Sequence, residues 1–386
     1  MRIALLCSDL GIPFGGVKGA SVHMRAVAGS LLRMGHEVSA IVANPGPEPG
    51  FAPLTERGLE LRVLRQPRTV REIDWHLSQV QPQLVIERLS LLAPEGAVAA
   101  AEAGVPHVYE VNAPLDEEAA RHRKFERIDE ARRAFSAGFA ASRGAVAVSE
   151  EVATWARGLA PENYPVSVEP NGAGPEFLAA PDAKQLIQLE QRLRLTGGEF
   201  RVGFVGTFRP WHDIDTLLFA ASELAKNVPT RVLMVGDGPQ RNHVLRTAWS
   251  GRAAVTLTGA VPHPEVPAHL ALCDAVAVPY ADGDVYFSPL KLVEAMAASR
   301  PVVASATGPV QRIVTDGRDG LLVPLGDRAA FAAALERLAF EPALRGRLGA
   351  EARRTVEREY TWDAVIGRVL KFATGLPARA EGSWRT

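Results

Sequence analysis

Residues 288–294, Ser-Pro-Leu-Lys-Leu-Val-Glu, place a hydroxyl, an ammonium and a carboxylate at offsets that suit recognition of a charged ligand. Ser288 is a favoured N-cap and Pro289 suits the first helical position, so a helix is expected to begin here. The spare backbone N–H groups of Leu290 and Lys291 would then point out of the helix end, where the macrodipole favours an anion. Glu294 lies one turn further in, and its two carboxylate oxygens can accept from both hydroxyls of a ribose. A diphosphate beside a ribose meets both requirements, so the stretch reads as a nucleotide-sugar site. Alone, it would equally suit an amphipathic helix with incidental surface charges.

The stretch has companions in a fixed order. Upstream are Val205-Gly206-Thr207-Phe208-Arg209-Pro210-Trp211-His212, Val235-Gly236-Asp237-Gly238-Pro239 and Cys273 to Tyr280. Downstream are Ser305-Ala306-Thr307-Gly308-Pro309 and Asp316-Gly317-Arg318-Asp319-Gly320. This set resembles the nucleotide-binding half of retaining glycosyltransferases of the GT-B fold, the large family four. Gly15-Gly16, Gly35-His36-Glu37-Val38 and Pro170-Asn171-Gly172 extend the resemblance over nearly the whole chain. It implies an α/β protein of two Rossmann-like domains with parallel sheets facing across a cleft. Residues 1–178 would form an N-terminal acceptor domain, completed by a C-terminal crossover helix over 361–376, and 199–360 the nucleotide-sugar donor domain.

The resemblance further implies transfer of a hexosyl unit from a nucleotide diphosphate sugar to an acceptor hydroxyl with retention, without metal or cofactor. Arg209, His212 and Lys291 become the catalytic candidates, sharing the leaving-group charge. Gly15, Gly16, Gly206, Thr207, Ser288, Pro289, Leu290 and Glu294 become the donor-binding candidates. Three departures matter. The family's usual Arg and Lys of the second Gly-rich segment are replaced by Thr207 and His212, with Arg209 as the expected substitute. The first of two glutamates eight residues apart is Tyr286, which can hydrogen-bond a sugar but cannot act as a carboxylate nucleophile. Asn112 stands where many members carry a His, and with Glu110 it is a candidate sugar or acceptor contact. Asp282 and Asp284 have the spacing of a metal or hexose contact, with loop solvation favoured for both. Lys18 and His23 border the first Gly-rich loop as solvent-facing or supporting residues. A sugar-nucleotide epimerase on the same fold and a non-catalytic nucleotide-sugar binding protein are the alternatives. A nicotinamide oxidoreductase lacks its G-x-G-x-x-G fingerprint.

These residues need elements to hold them. Apolar runs at Ile3–Cys7, Val38–Ala43, Leu84–Glu87, Val108–Val111 and Ala145–Val148 alternate with helical patterns, as βαβ units do. The pattern restarts at Arg201–Val205 and continues through Arg231–Val235, Val255–Thr258, Ala275–Pro279 and Pro301–Ala304. Residues 179–198 read as a linker with a charged helical stretch. At 386 residues the chain can bury two cores, and 43 Lys plus Arg against 44 Asp plus Glu argue against nucleic acid as a partner. The first apolar run is too short for a signal or a span, so a cytoplasmic location is expected. The charged run 117–133 leaves room for an anionic acceptor or a peripheral place at the inner face of the membrane. Cys7 and Cys273 read as small core residues.

Overall fold

The computed structural model describes residues 1–66, 68–123, 125–281 and 286–377. The backbone divides into two compact units, one of Met1–Asn171, Tyr286–Ser288 and Trp362–Thr386, the other of Gly172–Val285 and Pro289–Thr361. Asp282, Asp284 and Lys124 lie outside the described residues.

In the first unit, β1 (Arg2–Cys7), β2 (Glu37–Val42), β3 (Glu60–Val63), β4 (Leu84–Arg88), β5 (His107–Val111), β6 (Gly144–Ala147) and β7 (Val166–Val168) form one sheet. Its order is β3-β2-β1-β4-β5-β6-β7, and every pairing is parallel. Central strands of such a sheet are covered on both faces, which is why Ile3-Ala4-Leu5-Leu6-Cys7 is apolar without alternation and buried throughout. The helix Trp362–Gly375 packs its buried Trp362, Val365, Ile366 and Val369 within this unit, and Asp363 fixes it through Ser30 and Arg33 of the helix Gly19–Arg33.

In the second unit, β8 (Phe200–Val205), β9 (Thr230–Val235), β10 (Ala254–Gly259), β11 (Ala275–Val278), β12 (Val302–Ser305) and β13 (Leu321–Val323) follow the order β10-β9-β8-β11-β12-β13, again all parallel. The core beneath is built from Phe200, Val202, Phe204, Phe208, Leu217, Val232, Met234, Phe331 and Leu335. The Asp316–Gly320 motif is a structural turn: buried Asp319 accepts from the Thr315 amide and the Thr355 hydroxyl, and Gly317 has φ 69°. Both cysteines are buried thiols whose pKa burial pushes up, to about 11 for Cys7 and about 12 for Cys273. Among the described residues no helix is long and apolar enough to cross a membrane.

Candidate active site

In an open parallel sheet, ligands bind beyond the carboxyl ends of the two strands between which the order reverses. In the second unit those strands are β8 and β11. Strand β8 runs out into Gly206, whose φ of 140° suits only glycine. Its neighbour β9 ends in Gly236, where a Cβ would fall 2.0 Å from the Gly206 carbonyl oxygen, and a Cβ on Gly238 would fall 2.4 Å from the Phe208 nitrogen. The two glycine loops therefore interlock backbone to backbone.

Lys291 covers the Gly206 position. A Cβ there would lie 3.4 Å from Lys291 Nζ and 3.8 Å from His212 Cε1. The residue is partly exposed but its ammonium is buried, 4.5 Å from the Phe204 ring centre and 5.6 Å from that of Tyr280. Nζ has no hydrogen-bond acceptor among the described residues. Burial lowers its pKa to about 7, with Glu294 one turn along the helix opposing the shift. A buried cation held over aromatic faces, without an acceptor, is suited to an incoming anion. Thr307, past the end of β12, has a buried Oγ1 without a hydrogen-bond partner among the described residues.

His212 ends the short 3-10 turn Pro210–His212 and is buried. Its Nδ1–H donates to the Thr207 carbonyl, so in the neutral ring Nε2 is an acceptor. Burial, then the charge of Lys291, lowers its pKa to about 3; the Thr207 hydrogen bond opposes and Arg209 adds to the lowering. With its ring neutral, His212 can accept from a hydroxyl, and Lys291 and Arg209 are the cations among the three candidates. Arg209 is exposed, its guanidinium 5.7 Å from the Trp211 ring centre. Thr207 contributes its carbonyl, which also accepts the Arg209 amide at 2.8 Å.

Glu294 sits in the second turn of the helix Leu290–Ala297, buried, with Oε1 2.7 Å from His263 Nε2. Burial raises its carboxyl pKa, while the His263 hydrogen bond and charge oppose the rise. Sequence reasoning missed His263. The available signal was Pro262-His263-Pro264 shortly after the end of β10, a ring fixed between two prolines. Ser288 is another correction: the helix starts at Leu290 with Pro289 as its N-cap, and the Ser288 hydroxyl instead accepts the Asn171 amide at 2.9 Å. Pro289 still sets up the first turn, since its carbonyl accepts the Leu292 amide at 2.9 Å.

In the first unit, the donor-facing candidates Gly15 and Gly16 sit in the loop after β1. Both are buried, and their amides already donate to Pro45 and Pro13 carbonyls. Glycine is required there for packing, because a Cβ on Gly15 would meet the Pro47 carbonyl oxygen at 2.0 Å and one on Gly16 the Pro13 ring at 2.6 Å. His23 is buried rather than solvent-facing, edge-on to Trp362 with ring centres 4.9 Å apart. Its Nε2 lies 2.8 Å from Glu110 Oε1, which also accepts from Arg88 at 3.2 Å and from Asn112 Nδ2. Although burial raises the Glu110 pKa, His23, Arg88 and Asn112 together hold it down to about 2. Glu110 and Asn112 are therefore joined in one polar cluster. Tyr286 also belongs to this unit; its hydroxyl donates to Glu118 at 3.4 Å and its carbonyl accepts from Ser149.

Two family models match the two halves: Glycosyltransferase Family 4 over residues 17–177 and Glycosyl transferases group 1 over 199–340. The chain belongs to this glycosyltransferase family. It is 32% identical over 200 residues to D-inositol 3-phosphate glycosyltransferase of Thermomonospora curvata, covering 49% of this chain and 46% of that one. It is 30% identical over 202 residues to a GDP-mannose-dependent alpha-(1-6)-phosphatidylinositol monomannoside mannosyltransferase of Mycobacterium tuberculosis, covering 50% and 52%. The chain thus spans about half the length of the curated relatives it matches. Anabaena HepE, solved with UDP-glucose, aligns with a TM-score of 0.74 at 19% identity over 97% of this chain and 100% of that one, which establishes the GT-B fold.

Proposed function

We propose that this chain is a retaining glycosyltransferase that moves a hexosyl unit from a nucleotide diphosphate sugar to the hydroxyl of an acceptor. The reading rests above all on the buried, unaccepted Lys291 ammonium over Gly206 at the strand-order reversal. The relatives' names, which include a GDP-mannose-dependent mannosyltransferase, and the UDP-glucose bound to HepE support the same ligand class.

In the proposed reaction the bond between the anomeric carbon and the β-phosphate oxygen breaks. Negative charge grows on the departing diphosphate and positive charge on the sugar ring. Lys291, the amides at the start of the helix Leu290–Ala297 and Arg209 offset the former. His212, as a neutral acceptor, orients a hydroxyl of the hexose. The acceptor oxygen attacks from the face the phosphate leaves, the new glycosidic bond forms there, and the phosphate takes the acceptor proton. This route needs no enzymic carboxylate nucleophile, consistent with Tyr286 at the position of the absent glutamate. Glu294 receives the ribose hydroxyls, Asn112 and Glu110 belong to the acceptor-handling unit, and positive charge at the diphosphate comes from side chains rather than a metal.

The test is product analysis. Incubation with nucleotide sugars and an acceptor panel should release free nucleoside diphosphate and give a glycoside whose anomeric configuration, read by NMR coupling, matches that of the donor. Recovery of an epimerised nucleotide sugar without free diphosphate would overturn the reading.

A further inference from the structure

Glu294 has a neighbour that shapes what it can do. His263 lies between two carboxylates, with Nε2 2.7 Å from Glu294 Oε1 and Nδ1 4.0 Å from Glu176 Oε1. Its ring packs on the buried Phe177 with centres 5.2 Å apart, and the prolines on either side restrict its backbone. The Glu294 side chain is 6% exposed and that of His263 27%, so the contact joins a nearly buried carboxylate to a ring that solvent still reaches. A carboxylate so deeply buried loses hydration, and a hydrogen bond from a fixed donor favours its ionised form. The donor takes up one oxygen. The other oxygen, Oε2, remains to accept from a ligand.

We propose that His263 is a positioning residue for nucleotide recognition: it holds the Glu294 carboxylate ionised and oriented through Oε1, leaving Oε2 for the ribose diol. This rests on the reading of Glu294 as the ribose contact. His263 touches no reacting atom, so its removal should weaken discrimination between riboses more than it slows the chemical step. Gln at 263 can present a neutral N–H near the same place and should restore most of the effect.

Calorimetric titration of the purified full chain with UDP and GDP, and with their 2′,3′-dideoxy analogues, tests this. In the parent, the diol form of whichever nucleotide binds should be favoured at least tenfold over the dideoxy form. Glu294→Ala should abolish that preference, His263→Ala should reduce it to below about threefold, and His263→Gln should keep it within about threefold of the parent. If Glu294→Ala keeps the parent's preference, or neither nucleotide binds, the ribose reading fails and the inference with it. If Glu294→Ala loses the preference while His263→Ala keeps it, the ribose reading stands and the positioning role is refuted. Should His263→Ala not fold, His263→Gln decides: loss of the preference in that folded variant refutes the role of its N–H.

Discussion

The proposed chemistry leans most on Lys291, and its burial gives a prediction with a definite sign. Its folded pKa is about 7, below the ordinary lysine value of about 10.4 in an unfolded chain. Between those values the unfolded chain holds a proton that the folded chain has lost, so this group makes stability rise with pH across that window. Below pH 7 the full penalty of burying the charge is present. Lys291→Met should therefore stabilise the ligand-free protein at pH 6 by roughly 1–3 kcal/mol, the scale of an unsatisfied buried polar group. The gain should shrink as pH approaches 10, as measured by urea unfolding at several pH values. A variant less stable than the parent at pH 6 would show that the ammonium is already compensated. Arg209, being exposed, should matter to the reaction and little to the fold. Arg209→Ala is expected to lower kcat and kcat/KM together, on the order of 10- to 100-fold, with an unchanged unfolding midpoint. A rise confined to KM would make it a binding residue only.

The glycine loops make the element-scale prediction. Gly236 has φ 135° and faces the Gly206 carbonyl, so Gly236→Ala must displace the turn after β8 that lies under Lys291. A loss of roughly 2–4 kcal/mol is expected in denaturant unfolding, with weakened nucleotide binding. Parent-like values for both would mean that the loops can separate freely. The central strands were legible because burial on both faces leaves an apolar run that survives in the sequence. The ones overlooked, β3, β7 and β13, are all sheet edges. Strand β3, Glu-Leu-Arg-Val, has no fully buried position, and β7 and β13 are three residues each, so none carries a periodic signal. At the site, Lys291 and Glu294 could be read from local spacing. His263 could not, because its meaning depends on a helix that begins 27 residues later in the chain. Ser288 misled for a related reason: capping chemistry was present, but a contact to Asn171 competed for the hydroxyl. The Gly15-Gly16 pair likewise reflects close backbone packing with residues 45–50, which no local pattern announces.

At the scale of the molecule, two parallel-sheet units with the same construction carry different polar clusters. The second unit offers a cation without an acceptor among the described residues, while the first holds Glu110 with His23, Arg88 and Asn112 gathered on its Oε1. That asymmetry supports assigning the nucleotide diphosphate to the second unit. If Lys291, Arg209 and a helix start supply all the charge needed, turnover should persist in excess EDTA once a donor is found. Loss of activity restored by magnesium or manganese would contradict this and make Asp282 and Asp284 the first positions to substitute, since hard cations take oxygen ligands. The central claim, a nucleoside diphosphate sugar held by Lys291, is tested most directly by a thermal-shift panel of nucleotide sugars on the parent and on Lys291→Met. Because a ligand bound only to the folded state raises stability with its saturation, at least one nucleotide sugar should raise the parent's Tm and leave that of the variant almost unmoved. Equal shifts in the two proteins, or none in the parent, would contradict the account.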